Sequence, residues 1–252
     1  MKQFLLPPSF NGESRLTLAA RDFHYIARVL RLREGDTLSA VDARANHYRL
    51  RLVTVGAKDC VVELTPQAPA EPAGDRIRLT LLQCLPKGRK IDLIVRQATE
   101  AGVRRIVTLL SDHCVVRAGD DDARTVRLAR IAREAVQQSG AERVPLIEGP
   151  WPLASVARAG GRWGTALFFH EQRLDSAPLH RLLAGVAGEV TLLIGPEGGL
   201  SGPEVAALRE AGFKPAWLGS TVLRVETAAV YALGAVITIL QEKDEWRASE
   251  RR

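Results

Sequence analysis

The chain has 252 residues, of which 46% are hydrophobic and 25% charged, with a formal net charge of +6. That composition is ordinary for a globular fold and excludes a collagen-like or low-complexity chain, while the length suits one large domain or a small and a medium one. An isoelectric point near 9.6 fits a polyanionic partner without selecting one.

In chain order, the start from Met1 to Pro8 carries neither a long apolar segment nor a cleavage signal. No apolar run approaches the roughly 18 residues that a membrane span needs. A short helix is expected from Asp22 to Leu32, with Phe23, Ile26, Val29 and Leu30 on one face. Strands are expected at Thr37–Val41, His47–Val53 and Cys60–Leu64, where apolar and polar residues alternate. The segment Thr65–Gly74, with three prolines, breaks every periodicity and reads as a linker between a domain of residues 1–72 and one of residues 75–252.

Beyond it, strands and helices alternate. Strands are expected at Ile77–Leu85, Ile106–Leu110, Ala166–Phe169, Val190–Ile194 and Ala216–Leu218. Helices are expected at Lys90–Ala101, Ala123–Ser139, Leu153–Ala159, Ala177–Leu183, Pro203–Ala211 and Thr227–Glu242. This alternation predicts an α/β domain built on a largely parallel sheet.

Candidate chemistry gathers at strand ends. Ile194-Gly195-Pro196-Glu197-Gly198-Gly199 is a glycine-rich turn between a strand and a helix start, the helix being capped by Ser201 and Glu204. A phosphate cradle needs free N–H groups and positive potential. Pro196 removes a donor and Glu197 adds a negative charge, so the loop suits a neutral or cationic ligand if it is more than an ordinary turn. Leu218-Gly219-Ser220 closes the next strand, with Leu223, Arg224, Glu226 and Thr227 just before or within the last helix. Arg224 and Glu226 are either a surface ion pair or part of a crevice shared with Phe169, His170 and Glu171.

Lys87, Arg89 and Lys90 open a helix against its macrodipole, which suggests an anionic ligand. Arg127, Arg130 and Arg133 read as a solvated helix face. The last helix, apolar on nearly all sides from Ala228 to Leu240 and too short to span a bilayer, is either a homodimer interface or a central core helix. Cys60, Cys84 and Cys114 are far apart with no C-x-x-C pair, and the five histidines are isolated. Neither a metal site nor a disulfide framework is expected, and a reducing cytoplasm fits.

These pieces together resemble the RsmE family, the 16S ribosomal RNA uridine-N3 methyltransferases of the SPOUT superfamily. The resemblance rests on I-G-P-E-G-G at Ile194–Gly199, Leu218-Gly219, and L-R-V-E-T-A at Leu223–Ala228. It extends to Leu85-Pro86-Lys87-Gly88, Gln97–Gly102, Arg143-Val144-Pro145 and the stretch His24–Asp36. Gln137-Gln138-Ser139-Gly140-Ala141 departs from the Glu-Gln and Gly-Arg that members commonly carry there.

The resemblance implies an N-terminal PUA-like β-barrel that helps hold RNA. It also implies a SPOUT domain whose C-terminal part forms a deep trefoil knot around S-adenosylmethionine, with the site completed across a homodimer. Cofactor contacts are then expected from Phe169, His170, Ile194, Gly195, Pro196, Glu197, Gly198, Gly199, Leu218, Gly219, Ser220, Leu223 and Thr227. Arg224 and Glu226 would be catalytic, and Arg28, Arg31, Lys87, Arg89 and Arg143 would meet phosphates of 16S rRNA or the small subunit. Two other functions stay open: ribose 2′-O-methylation of RNA by a member of the same superfamily, and a non-catalytic ribosome assembly factor.

Overall fold

The computed structural model describes residues 3–68, 77–116, 119, 121–186 and 188–249, with backbone alone from 243 onward. The chain divides into two compact units, Met1–Gly74 with Val136–Arg143, and Asp75–Ala135 with Val144–Arg252. The expected boundary between residues 72 and 75 lies outside the described residues.

The first unit holds β1 (Gln3–Leu5), β2 (Arg15–Ala19), α1 (Ala20–Phe23), β3 (Thr37–Val41), β4 (His47–Val55) and β5 (Asp59–Gln67). The strands form one sheet in the order β1-β3-β4-β5-β2, parallel only between β1 and β3. Phe4, Leu18, Ile26, Leu50, Leu52 and Val62 fill its core. Gln3, 5% exposed, donates from Nε2 to the Ala141 carbonyl at 2.5 Å, which ties the Val136–Arg143 segment into this unit.

Two expectations are corrected here. After α1 the chain winds as a π-helix over His24–Val29, with Leu30 N–H donating to the Tyr25 carbonyl. The wider turn breaks the expected α-helical face: Ile26 is fully buried, but Val29 is 51% exposed. The linker reading also starts too early, because Thr65, Pro66 and Gln67 belong to β5 and pair with Arg49, Tyr48 and His47. Pro66 is tolerated because its pairing with β2 has already ended at Glu63, leaving β4 as the sheet neighbour.

The second unit carries six strands, β6 (Arg78–Cys84), β7 (Arg105–Leu110), β8 (Leu146–Pro152), β9 (Thr165–Phe169), β10 (Glu189–Ile194) and β11 (Lys214–Ala216). All are parallel, in the order β11-β9-β10-β6-β7-β8. Helices α2 (Lys90–Glu100), α3 (Asp121–Ser139), α5 (Leu179–Leu183) and α7 (Val225–Ser249) pack around one core. A second core sits under α4 (Leu153–Ala159) and α6 (Gly202–Glu210). Coverage on both faces explains the nearly continuous apolar runs of β6, β9 and β10. In α2 the buried positions Ile91, Ile94, Val95 and Ala98 repeat at helical spacing and face the sheet.

Strand β8 was not expected: Glu148, Gly149 and Pro150 interrupt its alternation, and its register against β7 slips between Val107 and Leu109. The expected strand Ala216–Leu218 ends at Ala216, leaving Leu218 in a loop. Helix α7 is also longer than expected, with 25 residues, and its window Val225–Glu242 is long and apolar enough to cross a membrane. One face is nonetheless core: Val225, Ala229, Ala232, Leu233 and Val236 are buried in the second unit. Thr227, Tyr231, Gly234 and Thr238 form an exposed stripe at helical spacing on the other side.

Candidate functional site

The strand order places the site. The chain runs outward from β6 through β7 to β8, crosses to β9, and returns to insert β10 between β9 and β6. Such a reversal leaves a crevice at the carboxyl ends of the strands. A cavity of about 470 Å³ lies there, in the size range of small-molecule sites. Its walls are the end of β9 (Phe169, His170, Glu171), the loop after β10 (Ile194–Leu200), and the segment from Leu218 to the first turn of α7.

Of the residues expected to hold a cofactor, Phe169, His170, Ile194, Gly195, Pro196, Glu197, Gly198, Gly199, Leu218, Gly219 and Leu223 line this cavity, as does Arg224. Ser220, Thr227 and Glu226 do not. Because α7 begins at Val225, helical spacing puts Val225 and Ala228 on the cavity side and turns Thr227 to solvent. Leu200, Thr221 and Val222 line it as well without having been expected there, and so do Lys90, read as facing an anionic ligand, and Glu171, read as part of the crevice, neither of them among the expected cofactor contacts. Lys90 had a signal, as a cation at a helix start, and Glu171 directly follows two expected residues.

The β10–α6 loop is held from several directions. Ser201 and Glu204 form a capping box, with Ser201 N–H donating to Glu204 Oε2 at 2.9 Å. Glu204, only 8% exposed, also accepts from the Asp112 N–H at 2.9 Å, and the Ser201 hydroxyl donates to Asp112 Oδ2 at 2.5 Å. His113 Nδ1 lies 2.9 Å from the Gly198 carbonyl oxygen and 3.2 Å from that of Gly199, so this nitrogen must carry the proton. A Cβ on Gly198 would sit 2.9 Å from His113 Cβ, and Gly199 has φ of +71°. These two glycines therefore answer to a close approach and to a left-handed backbone.

Glu197 is anchored to the start of α2. Its carboxylate accepts from the Lys87 N–H at 3.2 Å and from Lys90 Nζ at 2.8 Å. Burial opposes its ionised form, but the Lys90 ammonium and the backbone N–H groups of Glu197 and Lys87 outweigh it and hold the carboxyl below the ordinary range. Lys90 also lies 3.7 Å from Glu226 Oε2. The anion expected for this cation is thus a pair of carboxylates from the protein itself. Arg224 is exposed and forms no ion pair among the described residues.

Cys84 and Cys114, far apart in sequence, meet beside Ser111, at the end of β6. The hydrogen bond with Cys84, together with those from the Ser111 hydroxyl and N–H, pulls the Cys114 thiol down to about 6. Its thiol partner and burial push Cys84 well up.

Among the expected RNA contacts, Arg28, Arg31 and Arg143 are exposed on the first unit, and Lys87 and Arg89 are exposed on the second. Arg89 pairs with Asp92 at 3.3 Å. Of the three arginines read as a solvated face, Arg127 pairs with Asp92 and Arg130 with Glu134 at 3.9 Å.

Comparison with known proteins agrees with this architecture. Residues 74–237 match the RNA methyltransferase domain family, and residues 18–65 match the RNA methyltransferase PUA domain. The ribosomal RNA small subunit methyltransferase E of Mycobacterium bovis is 32% identical over 222 residues, covering 85% of this chain and 82% of that protein. That of Bacillus subtilis is 27% identical, covering 87% and 88%. A crystal structure of ribosomal RNA small subunit methyltransferase E from Neisseria gonorrhoeae, bound to S-adenosyl methionine, matches with a TM-score of 0.83 at 26% identity. It covers 95% of this chain and 98% of that one. By sequence and by fold, the chain belongs to the ribosomal RNA small subunit methyltransferase E family.

Proposed function

We propose that this protein transfers the methyl group of S-adenosylmethionine to N3 of a uridine in the 16S rRNA of the small ribosomal subunit. The observation that carries the reading is the cavity itself. It opens at the ends of adjacent parallel strands between the two loops whose residues match the family. Phe169, Ile194, Leu218, Leu223 and Ala228 give it apolar surface for a base, and the glycine turns bring backbone close to the ligand. Glu171 adds a carboxylate for an amino group. Glu171 and Glu197 on the lining disfavour a polyphosphate.

When bound, the cofactor supplies an electrophilic methyl on a sulfonium centre. The protein's task is to present N3 in line with that methyl and to favour loss of its proton. Arg224, on the cavity and unpaired among the described residues, stabilises the uracil oxygen on which negative charge grows. Glu226 faces Lys90 and is outside the cavity lining, which favours a positional role over direct proton acceptance. Arg28, Arg31, Arg143, Lys87 and Arg89 take backbone phosphates, as sequence-independent contacts.

The exposed stripe of α7, with Tyr231 55% and Val230 38% exposed, is the proposed homodimer face. The trefoil knot belongs to the same proposal, as does action in the cytoplasm, where ribosomal RNA is the substrate. The test is transfer of a labelled methyl group to rRNA, followed by digestion to nucleosides. Base-methylated uridine supports the proposal, whereas ribose methylation favours the 2′-O-methyltransferase. No cofactor binding at millimolar concentration favours an assembly factor.

A further inference from the structure

Helix α2 starts with a lysine, where the macrodipole disfavours a cation. The structure gives that lysine two anionic neighbours. Its ammonium touches Glu197 of the β10–α6 loop and lies close to Glu226 in the first turn of α7. Three segments distant in sequence thus meet at one positive charge beside the cavity. Glu226 Oε2 is buried and has no hydrogen-bond partner among the described residues. A buried carboxylate oxygen without a hydrogen bond is costly, and the Lys90 ammonium is the opposite charge beside it. Hydrogen bonding to Glu197 in turn raises the affinity of Lys90 for its proton.

We infer that Lys90 is a positioning residue for the cofactor loop, acting through Glu197 and Glu226 and not by touching the ligand. Removing the ammonium leaves two carboxylates facing each other across the cavity wall. Their repulsion shifts Glu197, and the backbone from Gly195 to Gly199 moves with it. On this view the Glu197 carboxylate anchors the loop, and the loop meets the ligand through its backbone. The inference rests on the reading of the cavity as an S-adenosylmethionine site.

Calorimetric titration of the full-length protein with S-adenosylmethionine tests it, after each variant is shown by circular dichroism to be folded. Lys90→Met is expected to raise Kd about tenfold. The double variant Lys90→Met/Glu197→Gln is expected to return to within about threefold of the wild type, because the repulsion between Glu197 and Glu226 is gone. Lys90→Arg is expected to recover most of the loss. If Lys90→Met does not fold, Lys90→Gln with and without Glu197→Gln replaces it. The inference is overturned if loss of the ammonium leaves Kd unchanged. It is also overturned if Glu197→Gln gives no rescue, since that marks a direct contact between Lys90 and ligand. A wild-type protein that binds no S-adenosylmethionine overturns the reading of the cavity instead.

Discussion

The two glycine-bearing loops of the cavity are built in different ways. The β10–α6 loop is fastened by His113 to its glycine carbonyls, by Lys87 and Lys90 to Glu197, and by the Ser201–Glu204 box at the helix start. The segment Leu218–Leu223 has no comparable anchors: its side chains make no hydrogen bonds among the described residues, and Val222 is 73% exposed. One wall is therefore set before a ligand arrives, while the other is held only by Leu218 against the core and by the helix that follows, among the described residues. The fixed wall suits cofactor recognition, which depends on prearranged backbone groups. The open wall carries the expected cofactor contacts Leu218, Gly219 and Leu223, and its end at Arg224 suits the entry of a large substrate.

This contrast predicts a separation of kinetic effects. The largest belongs to Arg224 on the open wall. Arg224→Ala is expected to lower kcat about 100-fold while changing the S-adenosylmethionine Kd less than threefold, read by methyl transfer and calorimetry. Near-normal turnover would falsify the catalytic assignment. On the fixed wall the order reverses. A methyl group at Gly198 has no room against His113, so Gly198→Ala is expected to raise Kd about tenfold by displacing the loop. Val222→Ala, on the open wall, is expected to leave Kd within threefold. Equal losses from the two changes would erase the distinction. A smaller effect is stability alone: Ser201→Ala removes the cap and costs about 1 kcal/mol, seen as a fall in Tm of about 2–4 °C.

How much of this was legible in the sequence follows the same division. Local signals were faithful: the capping box, the glycine turns and the apolar period of α2 all depend on neighbours in sequence. The carboxyl ends of β9 and β10 followed from the strand–helix alternation, and with them most of the cavity. What sequence could not show were pairings across the fold. Lys90 advertised an anion but not that the anions were Glu197 and Glu226, about 107 and 136 residues away. His113 is an isolated histidine until β7 and β10 bring it beside Gly198. The π-helix over His24–Val29 escapes an α-helical period because its wider turn carries Val29 off the buried face of Ile26.

Cys114 gives the smallest test of the fixed wall. It follows His113 directly, and its sulfur accepts from Ser111 at the base of the loop that holds Gly198. With its thiol drawn down to about 6, it is mostly thiolate at pH 7, whereas Cys84 is pushed the other way. Alkylation of Cys114 by iodoacetamide is therefore expected to rise through pH 6 and to level off above about pH 7. An ordinary thiol keeps accelerating towards pH 9. The stability tied to this group has the same sign. A lowered folded-state value favours the fold fully above the unfolded thiol's 9, and that contribution is lost as pH falls through about 6. The raised Cys84 adds no slope below pH 9, so between pH 6 and 8 the part of the trend that disappears in Cys114→Ser measures Cys114. Peptide mapping of the labelled protein identifies the reacting residue. Once labelled, the fixed wall is pushed from behind, and the cofactor Kd is expected to rise a few-fold while Arg224-dependent turnover at saturating cofactor holds. A label that lowers kcat and leaves Kd alone would show that the two walls are not independent.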